Sequence, residues 1–251
     1  MRHRESRGLV DTRESGHEDE MTVGFREASV GRADDGQIAV GRREQNKLDK
    51  LQRIKAAARS VFISKGYDDA TAREIAVRAK VGLGTIFLYA ADKRDLLFLV
   101  VNDDFEEVGR KAAAAVSDDE SFLENLLNAF GCLYNFFGKN PELSRFLLRE
   151  MFFYERGAQA ERLSKTRERM IETVVRIVQL AKRRHELSSG TEIELAGRAL
   201  FSVYQLEVRI WLSRKKLSRS EGLARLEKSL VTIAVGFAPT SAALRRRSKK
   251  L

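Results

Sequence analysis

The chain has 251 residues, 43% hydrophobic and 33% charged, with a formal net charge of +10, two prolines and one cysteine. A single cysteine excludes an intramolecular disulfide framework, and no apolar run approaches the roughly 18 residues of a membrane span. The N-terminus carries charges where a signal peptide needs its apolar stretch, so a soluble, cytoplasmic, membrane-free protein is expected. The positive charge is local. Residues 1–46 hold 8 basic and 10 acidic side chains, residues 47–94 hold 11 and 5, residues 95–244 hold 22 and 21, and residues 245–251 hold 5 and none. A near-neutral body with one basic segment and a basic tail is the pattern that attraction to phosphates produces, because each neutralised phosphate releases counterions. Solubility alone is the competing account.

Two prolines and long stretches of Leu, Ala, Glu, Lys and Arg predict an all-α fold. Residues 1–45 show no sustained period and read as a disordered extension, with Met21 available as an alternative start. At its end, Arg42 and Arg43 would form a basic arm before the first helix, placed to lie in a DNA minor groove or simply in solvent. A helix is expected over about 47–65, with Leu48, Leu51, Ile54, Ala58, Val61 and Phe62 on one stripe and Gly66 ending it. Lys50, Arg53, Lys55 and Arg59 fall on the other face and read as solvated.

Residues 71–97, TAREIAVRAKVGLGTIFLYAADKRDLL, organise the chain. Thr71 is a capping residue ahead of Ile75, Ala76 and Ala79 on one helical face, and after Val81 and Gly82 a helix restarts with Ile86 pointing inward. The second helix is too short to own a core. It must pack on its neighbours and leave its outer face free, which is a helix-turn-helix.

These residues resemble the DNA-binding domain of TetR-type transcriptional regulators: Thr71, Arg73-Glu74-Ile75-Ala76, Ala79, Val81, Gly84-Thr85-Ile86, Tyr89, Lys93 and Leu96-Leu97 match its pattern. Lys80 stands where that pattern has the turn glycine, Gly82 where it has the cap serine, Phe87 where it has tyrosine, and Ala90 where it has phenylalanine. The resemblance implies a three-helix helix-turn-helix domain over 46–94, joined to a helical ligand-binding and dimerisation domain over 95–240, with a basic tail over 241–251. It implies DNA contacts from Thr71, Arg73, Gly82, Leu83, Gly84, Thr85, Phe87, Leu88, Tyr89 and Lys93. Capping alone accounts for Thr71 equally, and a surface ion pair is the competing account for Lys93.

The second of these helices, 83–89, has no Arg, Lys, Asn or Gln, so the bidentate contacts that discriminate guanine or adenine are unavailable from it. What remains is close backbone approach at Gly82 and Gly84, hydroxyls at Thr85 and Tyr89, and apolar contact of Leu83 or Leu88 with thymine methyls. Specificity should then lean on methyl contacts, Arg73 and DNA shape. Phe87 lacks the hydroxyl that the family pattern offers to a phosphate, leaving Tyr89 to substitute, and Phe87 is a candidate to turn inward over Ala90.

Downstream, helices are expected over about 92–115, from Ser117-Asp118-Asp119-Glu120 to about 138, from Asn140-Pro141 to about 154, and over 158–185, 191–215 and 218–237. By the resemblance, the last two pair with those of a second subunit. Ala196, Leu200, Val203, Trp211, Leu223, Leu226, Leu230 and Ile233 could supply that surface or could be intrachain core. An effector pocket is expected among Phe122, Leu126, Phe130, Tyr134, Phe137, Phe152, Phe153, Tyr204 and Trp211, although an aromatic stripe at helical spacing is more often core. Such a lining suits a mainly apolar or aromatic ligand, with Glu150, Gln205 and Arg209 available as polar groups.

No phosphate loop, nucleophile elbow or HExxH pair is present, and neither a cofactor nor a metal is expected. His185 reads as a helix-end residue and Cys132 as inert core. The expected partners are double-stranded operator DNA, a small-molecule effector and a second copy of the chain. The rival is a ligand-independent, architectural DNA-binding dimer.

Overall fold

The structure, a computed structural model, describes residues 34–236 as helices and connecting turns, with no strand among them. The chain divides into two units, Met1–Glu44 and Gln45–Leu251. Of the disordered extension expected over 1–45, residues 1–33 lie outside the described residues and 34–45 are helical, and the basic tail over 241–251 lies outside the described residues as well. Nine helices are described: α1 Asp34–Lys65, α2 Ala72–Ala79, α3 Leu83–Phe87, α4 Lys93–Ala114, α5 Phe122–Gly138, α6 Pro141–Glu150, α7 Ala160–Arg183, α8 Ile193–Leu212 and α9 Arg219–Gly236. The expectation of an all-α fold holds. One boundary does not: α1 begins thirteen residues before Lys47, so Arg42 and Arg43 sit on its exposed surface and not on an arm preceding it. The segment carries no apolar stripe, so periodicity gave no sign of a helix there.

Local chemistry explains the helix ends. Thr71 Oγ1 accepts from the Glu74 amide at 3.2 Å and starts α2. Asp92 caps α4 by accepting from the Asp95 amide at 2.7 Å. Ser121, not the Ser117 stretch, starts α5, closing a reciprocal capping box with Glu124. Asn140 caps α6 and Pro141 takes its first turn, where a missing N–H costs nothing. The turn after α1 needs φ of +82° at Gly66, which glycine supplies without strain.

Two helices end on a left-handed residue that is not glycine. Lys80 has φ +54°, its amide donating to Val77 O and the Val81 amide to Ala76 O. His185 has φ +62° and repeats the motif, its amide reaching Lys182 O and that of Glu186 reaching Ala181 O. A left-handed side-chain residue costs about 1–2 kcal/mol, partly offset against glycine by glycine's looser unfolded state. Lys80→Gly is therefore expected to stabilise the protein by about 0.5–1 kcal/mol, read as a rise of roughly 2 °C in the melting temperature. An unchanged or lower melting temperature would show that Lys80 has a compensating contact.

α4 is the spine. Every residue from Asp95 to Asn102 is buried, so its first half is enclosed on all sides. α1 is fastened to it by Lys55–Asp103 and Arg59–Asp104, each 2.5 Å, and by Arg59 donating to Val100 O at 2.8 Å. Lys55 and Arg59 are thus inter-helix tethers and not simply a solvated face. The α6–α7 connection is tied to the same spine: Asp95 accepts from the Tyr154 hydroxyl and from the amides of Gln159 and Ala91, both at 2.9 Å. α7 and α8 approach closely at Gly197, where a Cβ would stand 2.5 Å from Val175 Cγ2. α8 and α9 are cross-linked by buried Glu207, which accepts from Arg225 at 2.6 Å and Ser229 at 2.8 Å.

Candidate nucleic-acid interface and effector slot

α2 and α3 present the surface that the sequence singled out. Ile75, Ala76, Ala79 and Ile86 are buried and anchor the pair, while Leu83, Phe87 and Leu88 are exposed, Leu88 at 82%. Large apolar side chains left uncovered on so short a helix mark a contact surface. A Cβ on Gly84 would meet nothing within 4 Å, so that position is open to an approaching backbone or base. Around this surface, Thr71, Arg73 and Gly82 are exposed, and Thr85 is half-buried.

One expectation about an individual side chain needs correction. Phe87 does not turn inward: it is 51% exposed while Ala90 is buried. Ala90 follows Ile86 by four residues and shares its inward direction, whereas Phe87 is turned about 100° away. Tyr89 is half-buried, its hydroxyl donating to Lys47 O at 3.3 Å, so in this state it braces α1. Lys93 donates to Asp68 O at 2.8 Å and lies 4.7 Å from the centre of the Tyr67 ring, so its partner is a carbonyl and a ring face and not a carboxylate. Burial raises the Tyr67 hydroxyl to about 12, with Glu150 adding to the effect, which keeps the phenol neutral beside the lysine.

The turn holding Lys93 is also the place where α6 touches the α1–α4 region. Arg149 binds the Asp68 carboxylate at 2.8 Å, Arg94 binds Glu150 at 3.1 Å, and Phe146 packs on Tyr67 with ring centres 5.9 Å apart. The hydrogen bonds from Arg149 hold Asp68 below its ordinary value of 3.8. A lowered carboxylate contributes stability above the unfolded value and loses it as pH falls through the folded one. Below pH 3.8 the parent protein should therefore lose melting temperature more steeply than Arg149→Gln; parallel curves in that window would remove the tether from the account.

The aromatic residues divide into two groups. Phe130 stacks on Tyr204 at 4.5 Å with planes 5° apart, and Tyr134 lies 4.8 Å from Trp211. Phe122, Leu126, Phe130, Tyr134 and Trp211 are all buried and line none of the clefts described here, because they fill one another's space. Phe153 is 77% exposed. Phe137 and Tyr204 do line a slot, together with Phe105, Leu148, Met151, Met170, Phe201 and Val208. Its free volume is about 20 Å³, room for about one water. Met151, Arg167, Phe201, Gln205 and Arg209 are shared with an open cleft of about 470 Å³ that adds Phe152, Ile171, Arg198 and Ser202. Phe105, Met170, Val208, Arg167 and Arg198 were missed from the sequence. Arg198 and Arg209, eleven residues apart in an apolar helix and so on one face, were the available signal.

A larger opening, about 840 Å³, lies between α1, α4, α5 and α6. Its wall mixes Arg59, Lys111 and Lys139 with Asp104 and Glu107, and includes half-buried Cys132, which is therefore not wholly core. Among the described residues no group of His, Cys, Asp and Glu could hold a metal, and no helix is long and apolar enough to cross a membrane.

Residues 54–100 match the sequence profile of the bacterial regulatory proteins of the tetR family. No match was found among curated proteins. Solved structures share the fold. FadR of Bacillus subtilis is 19% identical with a TM-score of 0.57, the alignment covering 73% of this chain and 97% of that one. FadR of Thermus thermophilus is 22% identical with a TM-score of 0.54, covering 74% and 93%. RolR is 17% identical with a TM-score of 0.57, covering 76% and 90%.

Proposed function

We propose that this chain, a TetR-family transcriptional regulator by its helix-turn-helix segment and its fold, is a cytoplasmic repressor that binds a palindromic operator as a homodimer and is released by a small molecule. The observation that carries the DNA-binding part is the uncovered outer face of α3 beside Thr71 and Arg73. Leu83, Gly84, Thr85, Phe87 and Leu88 enter the major groove; Thr71 and Lys93 meet phosphates, Lys93 exchanging Asp68 O for a phosphate oxygen. Tyr89 supports the helix from behind.

A single short reading helix covers few base pairs, so specific affinity needs two half-sites and two copies. The surface offered to the second copy is a stripe on α8, Leu195, Ala199, Val203, Leu206 and Ile210, with Val231 on α9; Leu195, Leu206 and Val231 are 65%, 57% and 43% exposed. Ala196, Leu200, Trp211, Leu226 and Leu230 are buried inside the protomer, while Val203, Leu223 and Ile233 lie partly buried at its edge.

The effector enters the slot. FadR of B. subtilis in complex with stearoyl-CoA, that of T. thermophilus with lauroyl-CoA and RolR with resorcinol support a small-molecule effector for a chain of this fold. Here α6 is both slot wall and tether: Leu148 and Met151 face the slot, while Arg149 and Glu150 hold Asp68 and Arg94. A ligand that opens the slot displaces α6 and shifts the turn that carries Lys93. It releases DNA by favouring the displaced arrangement.

The second reading, a ligand-independent dimer, is favoured by one observation, the small free volume of the slot among self-filling aromatics. Binding to DNA flanking the coding region, over a salt series, tests the first reading. A dimer should bind specifically, and Lys93→Ala and Thr85→Ala should each weaken it about tenfold, with the salt slope falling by about one for Lys93→Ala. Weak binding that ignores sequence and both substitutions would favour the architectural alternative.

A further inference from the structure

We infer that the effector is an anionic amphiphile, its acidic group drawn to the mouth that Arg167, Arg198 and Arg209 line and its apolar part inserted into the slot; this rests on the ligand-responsive reading above. The three guanidinium groups come from α7 and α8 and line one continuous opening, with no aspartate or glutamate among its lining residues. Several arginines elsewhere are matched by a carboxylate, Arg94 with Glu150, Arg149 with Asp68, Arg162 with Glu106 and Arg225 with Glu207, so what sets this opening apart is three arginines around one cleft with no carboxylate in its wall. At this opening, among the described residues, Arg167 and Arg198 form no ion pair, and Arg209 rests on the Phe152 ring at 4.4 Å. Three like charges around one cleft repel one another, and a bound anion relieves that repulsion. Arginine adds geometry, because its planar fork matches the two oxygens of a carboxylate, phosphate or sulfonate.

Past the arginines the character changes abruptly. The slot wall is Phe105, Phe137, Met170, Phe201, Tyr204 and Val208, a surface that no charged group can enter without losing its hydration. A ligand satisfying both parts has one charged end and one apolar end. Its length is set by insertion: the slot holds about 20 Å³ unopened, so the tail must push Met151 and Met170 aside, and both are flexible side chains suited to moving. The 840 Å³ cleft has no such concentration of one charge, because Arg59 pairs with Asp104 and Lys111 with Glu107, leaving Lys139, among the described residues, as its one unmatched charge.

Two dyes that differ chiefly in one sulfonate make the test. 1-Anilinonaphthalene-8-sulfonate is anionic and N-phenyl-1-naphthylamine is neutral, with the same ring system. Fluorescence titration of the full-length protein should show the sulfonate binding at least tenfold more tightly. Arg167→Gln, Arg198→Gln and Arg209→Gln should each weaken the sulfonate several-fold and leave the neutral dye unchanged, while Arg176→Gln, an exposed arginine of α7 outside the opening, alters neither. Displacement by decanoate and by monodecyl phosphate, against 1-decanol as the neutral chain, then tells a carboxylate from a phosphoryl ligand. Equal binding of both dyes, insensitive to the arginines, overturns the anionic effector and leaves the slot a site for a neutral one. If neither dye binds to a dimer that still holds its operator, the slot is core, and the ligand-responsive reading falls with this inference.

Discussion

Gly84→Glu is expected to reduce operator affinity by more than about 100-fold without loss of the fold. Position 84 lies in the first turn of α3 and a Cβ there meets nothing within 4 Å, so a side chain is accommodated in the free protein. Replacing a helical glycine by glutamate removes a local cost of about 1 kcal/mol, and the melting temperature should hold or rise slightly. In the complex the same side chain stands between the helix backbone and the base edges, with a carboxylate facing a phosphate-rich groove, and it both blocks close approach and repels. Fluorescence anisotropy with labelled operator, beside a thermal melt of the same preparation, separates these effects. A variant that binds as the parent does would place the DNA surface elsewhere than α3. A variant that fails to fold would contradict the open space seen around Gly84.

The helix-turn-helix unit was legible from sequence because its determinants are local. Thr71 caps within three residues, Ile75, Ala76, Ala79 and Ile86 follow helical spacing, and each is placed by the turn on either side of it. The long helices α5 to α9 were legible for the same reason, from the Asn140-Pro141 start and from apolar stripes, although the cap of α5 is Ser121 and not the Ser117 stretch expected. What sequence could not supply was pairing across long separations. Lys55 and Asp103 are 48 residues apart and Arg149 and Asp68 are 81 apart, so residues that look solvated alone prove to be tethers. The lining of the slot was half legible. Phe137 and Tyr204 were among the expected lining, but an aromatic stripe has the same spacing whether its rings face empty space or one another, and Phe130, Tyr134 and Trp211 face one another. The arginines at the mouth have meaning only after α7 and α8 pack together and bring Arg167 to the same cleft as Arg198 and Arg209.

Leu206→Glu should convert the dimer to a monomer and, with it, lower operator affinity by about 1,000-fold or more. Leu206 is 57% exposed within one protomer, so it contributes little to the fold of that protomer and the variant should keep its helical content and most of its melting temperature. In a symmetric pair the change counts twice. Each copy would bring a carboxylate against the other's Leu195–Ile210 stripe, and burying an unpaired charge in an apolar contact costs several kcal/mol. Loss of the second copy removes one of two half-sites, and the remaining one supplies little beyond nonspecific attraction to phosphates. Light scattering at micromolar concentration reports the assembly, and anisotropy reports the DNA. Leu206→Ala grades the effect, since it trims the contact without adding charge and should weaken the dimer far less. A Leu206→Glu protein that remains dimeric would move the interface off this stripe. One that is monomeric yet binds operator as tightly as the parent would show that a single reading head suffices, and the two-half-site argument would fail.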